Sequence, residues 1–201
     1  MFIITYVYGS RLMLLNKKIL VPIIGQKFSV RSANHIPNGT INRGEFTHIN
    51  DPDIVKMSNG TKYTFLPWLP GSIASVSCTG FPILSGPFTG CILSCDGSKA
   101  YHVSSGSDAP PCCLGKWHQS GLGNKSDIKP FDSPGIYRGL SKASKLGGIP
   151  KIFATIYWLN GKVHRHVITA LAEDAKNFKL GEGLLNEFPK FTIIDVVPWQ
   201  G

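Results

Sequence analysis

Glycine and proline occur along the chain rather than in one segment, and this feature most restricts how it can fold. The 201 residues include 22 glycines and 14 prolines. Both residue types interrupt regular structure and favour turns, so we expect many short elements. Glutamate and alanine are scarce, and apolar residues rarely recur at helical spacing. The sequence therefore predicts a β-rich protein.

The clearest single element is a hairpin in the second half of the chain. Two β-prone runs, residues 151–159 and 162–169, flank Asn160-Gly161, a strong signal for a two-residue hairpin turn. Its register places His164 opposite Tyr157 and His166 opposite Thr155. Further strands are expected at residues 62–66, 73–78, 89–94, 99–104 and 191–197.

Three other regions have weaker patterns. Residues 2–8 and 18–24 are apolar and predict two buried strands. Apolar residues at helical spacing predict a helix over 168–180, with Thr169 as its N-cap. The segment 106–134 is dense in Gly, Pro, Ser and Asp, and we expect a long loop without regular structure.

Length and charge limit the functional classes. We expect one domain spanning residues 1–201, since no repeat, charge block or low-complexity segment marks a boundary. The net charge of +9 is scattered and forms no basic stripe, which disfavours direct nucleic-acid binding and suits an acidic protein partner. Charged residues interrupt the apolar N-terminus, so neither membrane insertion nor a secretory signal is expected.

Cysteine usage favours free thiols. The odd number of cysteines leaves at least one unpaired within the chain and favours a reducing compartment. Zinc is the alternative, but the Cys91-x3-Cys95 spacing lacks the usual close pairs, and the two histidines of His164-x-His166 share a strand face without a third ligand. We expect neither a metal nor a cofactor. The cysteines are Cys78, Cys91, Cys95, Cys112 and Cys113.

The most informative segment is residues 88–102. A two-residue turn at Asp96-Gly97 would place Cys91 directly opposite His102, with Cβ atoms about 4.5–5.5 Å apart. A neighbouring imidazolium lowers the pKa of a thiol and supplies the thiolate nucleophile. Gly90 leaves space for a substrate beside the sulfur. The alternatives are coincidental packing and half of a metal site.

The residues Phe88-Thr89-Gly90-Cys91, followed by His102, resemble the Leu-Ser-Gly-Cys…His signature of the glutamine-deamidase toxins. This family includes the cytotoxic necrotizing factor catalytic domain and Burkholderia lethal factor. Upstream, Leu66-Pro67-Trp68 and Pro70-Gly71-Ser72-Ile73 are similar to segments of lethal factor. The likeness covers about a fifth of the chain. Phe88 and Thr89 depart from the signature. The gap between Cys91 and His102 is one residue shorter than the corresponding gap in lethal factor.

The resemblance implies an α+β fold of mixed β-sheets packed as a sandwich, with peripheral helices and long loops. It implies a Cys91–His102 dyad, with Ser85 in the place of a hydroxyl residue that orients the histidine, and supporting roles for Gly90 and Thr89 around the oxyanion. The backbone amide of Cys91 is the expected oxyanion donor. Trp117, in the segment 106–134, is expected either to contact the substrate or to pack its own loop.

The same resemblance implies a monomeric toxin or effector that needs no cofactor. It would be secreted or translocated and would convert glutamine to glutamate on a host cytoplasmic protein, an RNA helicase of translation initiation or a Rho-type GTPase. Two other functions stay open. The dyad suits a thiol transglutaminase or protease, and the chain is also compatible with a basic, β-rich interaction module without activity.

Overall fold

A computed structural model describes residues 21–30, 45–105, 113–123, 127–159, 161–173 and 189–199. Most of the expected N-terminal strands lies outside these residues, and residues 21–24, which are described, form no strand. The strands are β1 (Lys27–Ser29), β2 (Phe46–His48), β3 (Ile54–Lys56), β4 (Lys62–Pro67), β5 (Ile73–Ser77), β6 (Ile83–Phe88), β7 (Ile92–Cys95), β8 (Lys99–Val103), β9 (Pro150–Leu159), β10 (Lys162–Ala172) and β11 (Lys190–Pro198). The helices are α1 (Cys113–Gln119) and α2 (Ile136–Lys145), with a 3₁₀ turn at Pro130–Asp132.

Seven strands form a mixed sheet in the order β1-β11-β10-β9-β6-β4-β3. The sheet curls until its two edge strands meet, where the amide of Ser58 donates to the carbonyl of Lys27 over 2.8 Å. The amide of Lys27 donates in turn to the Ser58 hydroxyl over 3.1 Å. This contact protects both edges, which would otherwise expose unpaired backbone groups.

The concave face of this sheet encloses its own apolar core. Phe28, Phe153 and Phe191 pack there with ring centroids 5.0–5.4 Å apart. Strands β9 and β10 each alternate between this core and the opposite face of the sheet, and both faces are covered by protein. The central strands are therefore buried on two sides.

Four strands form a second sheet in the order β2-β5-β8-β7. One face packs against the convex face of the seven-stranded sheet, and this layer holds the largest core cluster. The other face is covered by α1, whose Trp117 is fully buried against Tyr101. The expected architecture of packed mixed β-sheets with peripheral helices is confirmed.

The hairpin of β9 and β10 has the predicted register. His164 pairs with Tyr157 and His166 pairs with Thr155, and the pairing continues to Lys162 and Leu159. The helix predicted over 168–180 is wrong for its first part, because β10 continues as a strand to Ala172. Residues 174–180 lie outside the described part of the chain. Thr169 is a buried strand residue there and not an N-cap.

The prediction that 106–134 has no regular structure is also wrong, since α1 and the 3₁₀ turn fall within it. Helix α2 follows and packs on β10 and β11. The buried carboxylate of Asp195 fixes it there, accepting from Arg138 Nε over 2.7 Å and from Lys142 Nζ over 2.7 Å. Charge-assisted bonds to a buried acceptor are among the strongest in proteins.

The remaining strand predictions are confirmed in position, with ends that differ by a few residues. The prediction for 89–94 is the least accurate, because Thr89, Gly90 and Cys91 form the connection before β7. Strand β6 was not predicted at all. Among the described residues, no helix is long and apolar enough to span a membrane.

Candidate active site

The register of the β7–β8 hairpin differs from the prediction. Leu93, not Cys91, pairs with His102, and Cys95 pairs with Ala100. The two-residue turn is therefore Gly97-Ser98 instead of Asp96-Gly97. Gly97 has φ +97°, which suits the first position of a type II′ turn. Cys91 and His102 are diagonal neighbours instead of facing partners.

The side chain of Asp96 explains the displaced turn. Its Oδ1 accepts from the amides of Ser98 and Lys99 over 2.8 and 2.7 Å, and its Oδ2 accepts from the Tyr101 hydroxyl over 2.6 Å. Partial burial acts to raise the pKa of Asp96, but these hydrogen bonds lower it to about 2. Because the Asp96 carboxylate accepts hydrogen bonds from the amides that follow it, Asp96 precedes the turn, and the turn itself consists of Gly97 and Ser98.

Cys91 still lies on the same side of the sheet as His102. Its side chain belongs to the core between the two sheets, together with Leu93 and Cys95. Leu93 bonds outward to Ile128 through both backbone groups, so Leu93 and His102 form a non-hydrogen-bonded pair with closely spaced side chains. An aromatic side chain can reach a diagonal neighbour across such a pair.

A bulge in β6 supplies two further contacts to His102. The pairing with β9 shifts by one residue between Ser85 and Phe88, which turns both side chains toward the space between the sheets. The Phe88 ring stacks on the imidazole with centroids 4.4 Å apart and planes 15° apart. At Gly86 a side chain would meet the Phe153 ring at 2.6 Å, so β6 and β9 approach closely only because this residue is glycine.

Ser85 fixes the protonation of the imidazole. Its Oγ donates to the carbonyl of Leu66 over 2.7 Å and lies 2.9 Å from His102 Nδ1. A hydroxyl has one hydrogen, and the Leu66 bond uses it. Nδ1 must therefore carry the proton and donate to Ser85, which leaves the lone pair on Nε2. The sequence predicted that Ser85 orients His102, and the structure brings the two together.

His102 is fully buried, and burial lowers its pKa to about 3. The imidazole is consequently neutral at pH 7, so the expected imidazolium is not present in the folded protein. Nε2 is buried without a hydrogen-bond partner among the described residues. Leaving such an acceptor unsatisfied costs about 1–3 kcal/mol.

Ser105 lies against the sulfur of Cys91, with Oγ 3.6 Å from Sγ. The preceding residue, Ser104, is held by two donors, since its Oγ accepts from Trp68 Nε1 and from the amide of Gly71, each over 3.3 Å. The segments 66–68 and 70–73 therefore meet at Ser104, the residue before Ser105. Sequence reasoning missed Ser105, whose only signal is its position three residues after His102.

The other thiols have different surroundings. Burial, together with the nearby Cys95 and Asp96, raises the pKa of Cys78 to about 12. Burial also raises the pKa of Cys95, although Arg165 acts in the opposite direction. Both should be poor nucleophiles at neutral pH, because the thiolate is the reactive form.

The remaining candidates are placed away from the dyad or in structural roles. Trp117 is buried and donates to Asp127 over 3.0 Å, so it packs its own segment. His48 does have a partner, Ser75 Oγ at 3.1 Å. His164 and His166 share a face and stack on Tyr157. No group of three or more His, Cys, Asp or Glu in the described ranges is arranged to hold a metal.

Replacing Ser85 with alanine is expected to slow alkylation of Cys91 by about 10- to 100-fold, because the imidazole loses the acceptor that fixes its tautomer. The measurement is cysteine-resolved mass spectrometry with iodoacetamide at neutral pH. Ser75→Ala is the matched control, since it removes a serine–histidine hydrogen bond on β5 that involves His48. A Ser85→Ala protein as reactive at Cys91 as the control would contradict the orienting role.

Comparison with known proteins gives no relatives: no family model matches the chain, and neither the curated proteins nor the solved structures include a significant match.

Proposed function

We propose that this protein is a cysteine-dependent glutamine deamidase in which Cys91 is the nucleophile and His102 the general base. The observation that carries the proposal is the unpartnered Nε2 of His102, buried in the same layer as the Cys91 thiol. Native proteins rarely leave such an atom unsatisfied without a functional reason. A base whose lone pair is free and whose tautomer is fixed is suited to accept a thiol proton.

The reaction proceeds in two steps. Nε2 takes the proton of the Cys91 thiol as sulfur bonds to the carboxamide carbon of a glutamine side chain, and it then passes this proton to the departing ammonia. A thioester remains. His102 next removes a proton from water, which attacks the thioester, and the proton returns to the sulfur as glutamate is released. The backbone amide of Cys91 is the proposed donor to the oxyanion.

Gly90 and Thr89 form the connection that presents the nucleophile. Thr89 is exposed and Gly90 is half-buried, whereas Cys91 is only 4% exposed. The substrate class, a glutamine on a host RNA helicase or Rho-type GTPase, rests on the resemblance to the toxin family, as does action as a toxin in a host cytoplasm.

The test is incubation of eukaryotic cytosol with the wild-type protein and with Cys91→Ser, followed by peptide mapping for glutamine-to-glutamate conversion. We expect one or a few glutamines to be converted by the wild type only. Adding a primary amine separates the alternatives, because a transglutaminase would attach the amine, and a protease would instead produce new peptide termini. Identical peptide maps for the two proteins would leave the deamidase proposal without support and favour the interaction module.

A further inference from the structure

We propose that Ser105 is a second catalytic group of this site, whose hydroxyl donates a hydrogen bond to the sulfur of Cys91 as the thiolate forms. The inference rests on the proposed function and adds a residue that neither the motif nor the resemblance indicates. It follows from three features of the described residues around the sulfur.

The first feature is direct proximity. Ser105 Oγ lies 3.6 Å from Cys91 Sγ, a normal distance for a hydrogen bond to sulfur. In the resting thiol either atom can donate. Once the proton has left the sulfur, only the serine hydroxyl can, so the existing contact becomes a charge-assisted bond without movement of either residue.

The second feature is that the hydroxyl is held in place. Ser105 directly follows Ser104, whose side chain accepts from Trp68 and Gly71 and whose amide donates to the carbonyl of Ser72 over 3.2 Å. A Cβ at Gly90 would lie 3.1 Å from Ser105 Oγ, closer than ordinary contacts. The glycine before the nucleophile therefore leaves room for this hydroxyl.

The third feature is a chemical need. Because His102 is buried and neutral, no permanent positive charge of that residue stabilises the thiolate before the proton moves. A preorganised donor at the sulfur lowers the free energy of the charged form where it develops. A hydrogen bond to a charged group makes an expected contribution of about 10-fold to the rate.

The test compares wild type, Ser105→Ala and Ser105→Thr by cysteine-resolved alkylation with iodoacetamide at neutral pH. We expect Ser105→Ala to slow Cys91 by about 10-fold and Ser105→Thr, which keeps the hydroxyl, to restore most of the rate. Cys95 within the same molecules reports on the integrity of the fold, and its rate should not change. If Ser105→Ala destabilises the local backbone, the alkylation rate of Cys95 will rise. In that case Ser105→Thr decides: a retained Cys91 rate supports the role of the hydroxyl, and a lost rate contradicts it.

Two outcomes separate the failures. If Ser105→Ala alkylates at Cys91 as fast as wild type while His102→Gln is slow, the role of Ser105 is overturned and the dyad stands. If wild-type Cys91 is no more reactive than Cys95, the dyad and the role of Ser105 fail together.

Discussion

Replacing His102 with glutamine is expected to reduce glutamine deamidation by about 100- to 10,000-fold, the range that a general base contributes. Glutamine keeps a polar side chain of similar length but has no lone pair of comparable basicity. The Phe88 stack and the hydrogen bond from His102 Nδ1 to Ser85 hold the imidazole in one orientation, and glutamine would lose both the basic nitrogen and the stacked ring.

The assay is the rate at which a target glutamine is converted, measured by peptide mapping at several time points. His166→Gln is the matched control, because His166 is also a buried histidine, 6% exposed, but lies on β10 of the seven-stranded sheet and stacks on Tyr157. It should retain wild-type activity. Equal losses in the two variants would indicate a general folding defect, and undiminished activity in His102→Gln would exclude the proposed base.

Stability is expected to fall steeply as the pH drops from 6.5 toward 4. Burial lowers the pKa of His102 to about 3, and burial together with the charge of His164 lowers the pKa of His166 to about 4. In the unfolded chain both titrate near 6.5. Between these values the unfolded state binds more protons than the folded state, so the free energy of unfolding rises with pH and is lost on acidification.

The expected slope is about 1.4 kcal/mol per pH unit for each histidine, or about 5 kcal/mol for both between pH 6.5 and 4.5. That is comparable to the whole stability of many domains. Urea unfolding at a series of pH values measures it, and His102→Gln or His166→Gln should each remove about half of the slope. A free energy of unfolding that stays constant over this interval would contradict the burial of two neutral histidines.

Local signals predicted the parts of the fold in which nearby residues determine the structure. The Asn-Gly pair at 160–161 predicted both the β9–β10 hairpin and its register, because this pair favours a two-residue hairpin turn. The first part of the helix predicted over 168–180 falls in the same hairpin and is strand instead. Both faces of β10 are buried there, so apolar residues occur at adjacent positions and mimic helical spacing.

The missed elements had weaker or conflicting signals. A Gly-Pro pair is typical of turns, whereas Gly86-Pro87 lies at a bulge inside β6 that pairs with β9. Helix α2 does show helical spacing, at Ile136, Gly139 and Ala143, which are its buried residues. Its buried positions are few and two of them are small residues, so the apolar pattern was too weak to predict a helix.

The candidate site was found from the wrong register. Asp96-Gly97 and Gly97-Ser98 are both acceptable two-residue turns, and the choice depends on the hydrogen bonds that Asp96 makes with the residues after it. The register is displaced by two residues, which leaves the same side chains on each face of the sheet. Cys91 and His102 therefore still lie in one layer. Ser105 follows the end of β8 and the Leu66 carbonyl belongs to β4, and only the tertiary structure shows that they contact Cys91 and Ser85.

The central claim is that a neutral His102 acts as a base toward Cys91, and the alkylation rate of each cysteine against pH tests it most directly. A thiol that reacts only as its equilibrium thiolate speeds up about tenfold per pH unit below its pKa. With His102 as base, Cys91 should react at a nearly constant rate between about pH 6 and pH 8. Cys78 and Cys95 should keep the tenfold dependence on pH, and in His102→Gln the Cys91 rate should show the same tenfold dependence. A tenfold dependence at Cys91 in the wild type, unchanged by His102→Gln, would contradict the dyad.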